Sequence, residues 1–384
     1  MASTGDAILF VLCLGVVFLA LAVGVRLVIA ARRIRWHAVP LAGGKRTTKV
    51  TVIVPARNEE QDLAAALESI LQQTDVTLEV IVVDDHSTDR TGMIAAAAAR
   101  ADPRVQVIHQ PLLPPGWLGK SNAMHQAAAR ASGAYLLFTD ADILYQPPCL
   151  ALALAEMEQH HLDLLSLLPL MRCGSLWENV LAPGFAWGIM VRFARPGLWD
   201  GTGPDAYAVG AFMLVRRDAF EAIGGFEAIK ADTCDDIALA RQLKKHGYRL
   251  GLQAATHLLQ VRLFKSAADA FWGPTKNVLS GLHGHIWLAP FVLLWPLVVF
   301  WTPVVAIVVG AWESHAAVLL AGCAAYVALY ASLWPSRSLF RFHPLKALFF
   351  PLLVISFWCC LLGALYHYLA WGSIVWRGRA VKVR

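Results

Sequence analysis

The chain is short of charge. Asp, Glu, Lys and Arg supply 16% of its 384 residues and apolar side chains 57%, whereas a soluble domain carries about 25% charged and about 45–50% apolar residues. That deficit excludes a disordered chain, which is charge-rich and apolar-poor, and a wholly water-surrounded enzyme. Cysteine is also scarce: there are seven, with no CxxC pair and no Cys/His cluster at zinc spacing, which excludes a disulfide scaffold and a structural zinc site. No GxGxxG and no GxxxxGK[ST] occurs, so a Rossmann dinucleotide enzyme and a P-loop ATPase are disfavoured. The 13 histidines contain no HExxH. Acids are the minority charge, 27 against 33 Lys plus Arg. The excess cations flank long apolar runs, so the expected counterpart is anionic lipid headgroups and not nucleic acid.

Those runs are what the sequence has in abundance. Residues 7–31 are almost uninterrupted apolar sequence, enough to cross about 30 Å of hydrocarbon. Asp6 before the run, and its length, argue for a retained anchor over a cleaved signal. Arg26, Arg32, Arg33 and Arg35 at its end place the following region in the cytoplasm by the positive-inside rule. The C-terminal region, 286–371, holds up to three more segments: Ile286–Ala311, His315–Pro335 and Ala347–Trp371. Arg337, Arg341 and Lys346 in the last loop fit a cytoplasmic loop. Four spans would put the basic tail, 372–384, outside, against the rule, so either one run is re-entrant or the tail is an exception; the segment carrying Pro290, Pro296 and Pro303 is the candidate for a non-spanning or kinked element. The chain reads as a multi-pass protein of a bacterial-type inner membrane.

Between residues 47 and 260 the composition turns ordinary and strands alternate with helices. Strands are expected at Val50–Pro55, Leu78–Asp84, Val105–His109 and Tyr135–Asp140. Helices are expected at Asp62–Gln72, Thr91–Ala99 and Ser121–Ala131. The pattern predicts an α/β domain with a mostly parallel sheet covered by helices on both faces. Ligands of such sheets bind outside the carboxyl ends of the strands. Asp84 and Asp85, Asp140 and Asp142, and Arg57 with Glu59 all fall at that edge. Gathered acids are costly unless a cation or a donor joins them.

Each motif has a plainer alternative. Asp140 and Asp142 suit Mg²⁺ or Mn²⁺ shared with substrate phosphates, or form a polar turn. Lys120, at a helix start after Pro114-Pro115-Gly116-Trp117-Leu118-Gly119, suits a diphosphate, or is a solvated lysine. Asp235 and Asp236 precede a helical pattern. They suit a general base whose neighbour raises its pKa, or they cap the helix. Residues 174–199, with Trp177, Phe185, Trp187, Phe193 and Trp199, read as an interfacial, acceptor-lining segment, or as a buried helix. Residues 263–287 read as an amphipathic connector lying on the membrane surface.

Taken in order, Val54-Pro55-Ala56-Arg57-Asn58-Glu59, Val83-Asp84-Asp85, Asp140-Ala141-Asp142 and Asp235-Asp236 resemble the membrane-bound inverting family 2 glycosyltransferases of GT-A fold. The Leu113–Lys120 and Gly210–Gly225 stretches look most like the hopanoid-biosynthesis-associated members, and the layout is similar to the ceramide glucosyltransferases. The resemblance implies a nucleotide-sugar donor, a lipid acceptor and a divalent metal. It implies that Pro55, Arg57, Glu59, Asp84 and Asp85 line the nucleotide pocket, and that Lys120 and Asp140 lie near the diphosphate. Asp142 with Asp140 would hold the metal. Asp236 would be the base, with Asp235 as its partner, and Gly210, Ala211, Phe212 and Trp187 would lie on the acceptor side. Many relatives carry a QxxRW-like motif after the base. Here the region reads Phe271-Trp272-Gly273-Pro274-Thr275-Lys276-Asn277, which implies transfer of a single sugar. A membrane phospho- or nucleotidyltransferase using the same acids, or a non-catalytic membrane component, are the alternatives.

Overall fold

The computed structural model describes residues 4–34, 48–110, 113–195, 197–198, 203–264, 266, 268–269, 289–371, 374–376 and 379–381. Most of the connector 263–287, including Phe271–Asn277, and most of the tail 372–384 lie outside the described residues, as do Arg35 and Trp199.

Along the chain, helix α1 (Thr4–Arg33) precedes β1 (Lys49–Ala56), α2 (Leu63–Leu71), β2 (Thr77–Asp84), α3 (Thr91–Ala101) and β3 (Val105–His109). Next come α4 (Gly119–Arg130), β4 (Tyr135–Phe138), β5 (Leu144–Tyr145), α5 (Cys149–Gln159), β6 (Leu164–Leu168), β7 (Leu170–Arg172) and α6 (Leu176–Phe193). Then follow β8 (Met213–Arg216), α7 (Arg217–Ala222), α8 (Asp235–Lys245), β9 (Leu250–Ala254) and β10 (Leu259–Val261). The apolar helices α9 (Ala289–Trp312), α10 (Ala316–Leu333) and α11 (Leu353–Trp371) follow, with short elements between the last two and an antiparallel pair of short strands, Ile374–Trp376 and Arg379–Val381, after them. The residues form two compact units. One comprises 33–171 and 195–261; the other comprises 1–32, 172–194 and 262–384.

The first unit is built on a seven-stranded sheet of order β3-β2-β1-β4-β8-β6-β9. β1 and β2 are buried on both faces, as central parallel strands must be. All four strands expected from the sequence form, in parallel pairs. The fourth ends at Phe138, before the acids, because Thr139 turns away after donating its N–H to the Ile53 carbonyl at 3.2 Å. The sheet is not wholly parallel: β8 runs antiparallel to both β4 and β6. β8 is a four-residue apolar run, and such runs carry no periodicity that separates strand from buried helix.

One acid sits at the opposite, amino-terminal edge, and its environment is complete. Glu79 on β2 accepts from the Thr51 hydroxyl, from the Ser132 N–H at 2.8 Å and from the Lys49 ammonium at 3.3 Å. Burial alone would raise its pKa, but these donors and the lysine charge hold it down to about 2. The acids at the carboxyl edge are arranged differently.

The second unit holds helices long and apolar enough to cross a membrane: Thr4–Arg33, Leu294–Trp312 and Ala316–Ser338. Pro296 and Pro303 lie inside the continuous helix α9, and the shorter apolar stretch is the last, Phe350–Tyr366. α9 and α10 pack closely as a hairpin. A Cβ at Gly310 would stand 2.5 Å from the Leu319 nitrogen, and one at Gly322 would stand 2.8 Å from the Ile307 nitrogen. Small residues of this kind let apolar helices approach without a water-driven force between them. At one end of the unit Asp6 of α1 pairs with His315 at 3.1 Å; further along, Gly24 of α1 faces Ser332 of α10. α1 and α10 therefore run parallel, and Arg32, Arg33 and Arg337 share the end away from Asp6. Helix α6 belongs to this unit, held at its start by a Ser175–Glu178 capping box.

Candidate active site

The parallel strands end in register, which brings separate sequence motifs to one edge of the sheet: Ala56 lies opposite Asp84 and Ile53 opposite Phe138. The turns after β1 and β2 are stitched together. The Asn58 N–H donates to the Ser87 hydroxyl at 3.1 Å, and the Thr88 N–H donates to the Asn58 side-chain oxygen at 2.9 Å. Asn58 and His86 both take left-handed backbone conformations there, which Asn and His tolerate better than most residues.

Within this frame Arg57 donates from Nη1 to the Asp85 carbonyl oxygen at 3.3 Å and stands 3.8 Å from its carboxylate. Asp85 is buried, and its Oδ1 lies 2.9 Å from His86 Nδ1. Glu59 is also buried, and its N–H donates to the Thr91 hydroxyl at 2.8 Å. Pro55 lies in β1 opposite Val83. Asp84 is turned differently from its neighbour. Its Oδ1 accepts from the Ser87 N–H at 3.1 Å, and its Oδ2 faces His109 at 3.4 Å. Asp84 thus shapes the loop, while Asp85 faces Arg57.

The second group surrounds Lys120, in the first turn of α4. Its ammonium donates to Asp140 Oδ1 at 2.7 Å and lies 3.7 Å from Asp235 Oδ2. Burial alone would lower the Lys120 pKa, but the charges of Asp140, Asp235 and Asp236 outweigh it and raise the pKa. Asp235 and Asp236 open α8, where the helix dipole favours carboxylates. Asp236 accepts from the Gly210 N–H at 3.0 Å and from the Ile237 N–H at 2.8 Å. Burial and the neighbouring Asp235 push its pKa up to about 6, against the pull of Lys120 and the two N–H donors. Asp236 thus lies in the first turn of α8 without being its N-cap, which is Cys234 and makes no side-chain cap hydrogen bond.

Gly210 is where these groups meet. A Cβ there would stand 3.1 Å from Lys120 Nζ, 3.6 Å from Asp140 Oδ2 and 3.7 Å from Asp236 Oδ2. The Gly210–Phe212 segment is fixed through two residues the sequence did not single out. The Thr139 hydroxyl donates to the Ala211 carbonyl at 2.8 Å and accepts from the Tyr145 hydroxyl at 2.7 Å. Tyr145 lies in a two-residue strand, and no sequence signal marks it. Since Lys120 can yield a few tenths of an ångström, Gly210→Ala is expected to be mild. Gly210→Val is expected to cost about 10²-fold in turnover, as a misplacement near 1 Å does. Normal turnover of the valine variant in an initial-rate assay would remove Gly210 from the site.

Asp140 and Asp142 offer hard oxygen donors one residue apart. The donor set fits a Mg²⁺ or Mn²⁺ ion completed by water and substrate phosphate, with Lys120 already on one Asp140 oxygen. Trp187 lies in the other unit, 6% exposed, stacked on Trp295 at 6.4 Å and edge-on to Phe300 at 6.0 Å. Among the described residues a three-ligand group whose ligand atoms all lie within 4.8 Å of one another, Asp6, Glu313 and His315, lies in that unit.

A sheet of this topology, with acids from three turns at its carboxyl edge, defines a nucleotide-diphospho-sugar transferase fold. Residues 51–224 match the family model for glycosyl transferase family 2, so this stretch is a family 2 glycosyltransferase domain of GT-A fold. The chain is similar to the solved mannosyltransferase PcManGT from Pyrobaculum calidifontis in complex with GDP-Man and Mn²⁺. Their TM-score is 0.58 at 20% identity, over 94% of this chain and 99% of that one. It is 26% identical over 238 residues to the 4,4'-diaponeurosporenoate glycosyltransferase of Staphylococcus aureus strain MRSA252, covering 61% of this chain and 62% of that protein. It is 35% identical over 115 residues to the uncharacterized glycosyltransferase EpsJ of Bacillus subtilis, covering 30% of this chain and 32% of that protein. The chain thus spans less than two thirds of either relative's length.

Proposed function

We propose that the protein is a membrane glycosyltransferase that moves one hexosyl or N-acetylhexosaminyl unit from a nucleoside-diphosphate sugar to a lipid hydroxyl, with inversion. Uridine is the nucleoside, and a hopanoid or another isoprenoid or sphingoid alcohol the acceptor, that the family resemblance favours. The observation that carries this reading is the Asp236 carboxylate beside Gly210, with the Lys120 cation on the adjoining acids. One proton acceptor and one cation converge on the same point.

The chemistry follows from those positions. The acceptor oxygen attacks C1 of the sugar as the bond from C1 to the diphosphate oxygen breaks, and its proton passes to Asp236. Lys120 stabilises the charge gathering on the departing diphosphate. A Mg²⁺ or Mn²⁺ ion held by Asp142 and Asp140 would supply further positive charge to that diphosphate when bound. Arg57, Glu59, Asp85 and Pro55 line the nucleoside side in this reading, with Asp84 shaping their loop. Gly210, Ala211 and Phe212 lie on the acceptor side. Because one displacement suffices, no covalent sugar–enzyme intermediate is needed.

The long apolar helices support a multi-pass placement in an inner membrane. Arg26, Arg32 and Arg33 at the end of α1 support a cytoplasmic catalytic unit. Membranes carrying the protein, incubated with a panel of nucleotide sugars, divalent metal and a lipid extract, should yield a lipid heavier by one hexose or N-acetylhexosamine. Nucleotide release with phosphoryl transfer and no glycosylated lipid would favour a phosphotransferase instead. Asp142→Asn should raise the Mn²⁺ concentration for half-maximal activity by at least about 10-fold; an unchanged metal titration would remove Asp142 from the metal set. Trp187→Ala should lower lipid-dependent transfer more than donor hydrolysis, and equal losses would assign Trp187 to packing alone.

A further inference from the structure

The segment joining α10 to α11 carries cations that form no ion pair with an acid among the described residues. Arg172, Arg337, Arg341 and Lys346 line one cavity of about 470 Å³, together with His343 and Asn179. Among the described residues no carboxylate lines it and none of the four cations forms an ion pair with an acid. The nearby acid, Glu178, is committed elsewhere. It accepts from Arg262 at 2.8 Å and from the N–H groups of Gly174 and Ser175 at 2.7 and 3.0 Å. Burial would raise its pKa, but Arg262 and these donors hold it down to about 2.

The cavity is built, not a chance gathering of surface lysines. Asn179, 3% exposed, donates to the Ser175 carbonyl at 2.6 Å and accepts from the His343 N–H, pinning two walls that are distant in sequence. Arg337 is half-buried, its guanidinium 4.5 Å from the Trp334 ring and 5.8 Å from that of Phe342. A cation fixed on ring faces is preorganised for an incoming anion. Lys346 is half-buried, while Arg172 and Arg341 stand exposed at the rim. Like charges held around one cavity repel unless an anion joins them, and arginine forks beside a lysine suit phosphate oxygens. Along the same segment Leu345, Leu348 and Phe349 are exposed, at 68%, 39% and 59%. Cations beside exposed apolar side chains match the boundary between headgroups and acyl chains.

We propose that this cavity binds the phosphate of an anionic phospholipid headgroup, whose acyl chains lie along Leu345, Leu348 and Phe349. The proposal rests on the membrane placement of α9 and α10 and is independent of sugar transfer.

The test uses the purified full-length protein in detergent. It is mixed with phosphatidylglycerol or phosphatidylcholine, and native mass spectrometry reads the lipid retained. Phosphatidylglycerol should be retained at least 10-fold more than phosphatidylcholine, and R341E/K346E should abolish that preference while R341K/K346R keeps it. If R341E/K346E fails to fold, Arg341→Gln, at an exposed rim position, should still lower retention several-fold. Equal retention of the two lipids, or unchanged preference in a folded Arg341→Gln variant, would overturn the proposal. So would a melting-temperature rise with inorganic phosphate that depends on Arg341, if no phosphatidylglycerol is retained: the site would then be one for a free anion. Sugar-transfer assays do not enter the readout, so failure here leaves the catalytic reading untouched.

Discussion

Asp236→Asn should abolish sugar transfer, by about 10²–10⁴-fold, the usual share of a positioned general base, while the protein still binds the nucleotide sugar. The asparagine keeps the size of the side chain but cannot take the acceptor proton. It offers one carbonyl oxygen where the carboxylate accepts from both Gly210 and Ile237, so one backbone bond worth about 1 kcal/mol is lost. Against that, it removes a charge that burial and Asp235 disfavour. The sign is set by the raised folded pKa. An acid lifted to about 6 in the fold from 3.8 contributes stability below its unfolded pKa that disappears as pH rises through about 6. At pH 8 the native chain therefore holds Asp236 ionised at a cost the asparagine variant does not have. The variant should melt at the same temperature as the native protein or higher at pH 8, and lower relative to it at pH 4. The activity of the native protein should rise with pH through about 6 as the base becomes ionised. Turnover in Asp236→Asn within 10-fold of native would exclude it as the base; melting well below native at pH 8 would show that its role is structural.

The acids were legible because of where they stand, not because of their number. Asp84, Asp85, Asp140 and Asp142 follow strands whose apolar runs are plain in the sequence, and the carboxyl-edge rule for open α/β sheets then gathers them. Local sequence could not tell Asp84 from Asp85. Their different roles follow from the pleat and the turn, which aim one at Ser87 and His109 and the other at Arg57. Nor could it show that Lys120, read as a diphosphate ligand at a helix start, already holds Asp140 and stands near Asp235 across about a hundred residues of chain. The reversed strand β8 was hidden for a related reason. Four buried apolar residues have no face to alternate, and direction within a sheet is a property of its neighbours. The helix at 176–193 shows the same limit from the other side. Its tryptophans fit an interface or a core equally, and its partners, Trp295 and Phe300 against Trp187, lie more than a hundred residues away.

Lys120→Met should lower transfer by about 10²–10³-fold, the loss seen when one preorganised charge-stabilising group is removed, and should also weaken the fold. The methionine nearly preserves the stem volume but leaves Asp140, Asp235 and Asp236 facing one another without their shared cation. Removing one partner of a fully buried ion pair costs about 3–5 kcal/mol. Here 38% of the lysine side chain remains open to solvent, and screening brings the expected loss down to about 1–2 kcal/mol. The carboxylates can also relieve the repulsion themselves. With the lysine charge gone, the Asp236 pKa should climb further, because Lys120 is among the groups now pulling it down. The rising limb of residual activity against pH should therefore move above about 6. That shift separates the two roles of the lysine: loss of diphosphate stabilisation alone lowers the whole profile without moving it. Added divalent metal should restore part of the lost stability, since a cation on Asp140 and Asp142 replaces some of the missing charge. A variant with native stability, an unmoved pH limb and native turnover would show that Lys120 neither stabilises the leaving diphosphate nor neutralises the acids, and would remove the cation from the catalytic assignment.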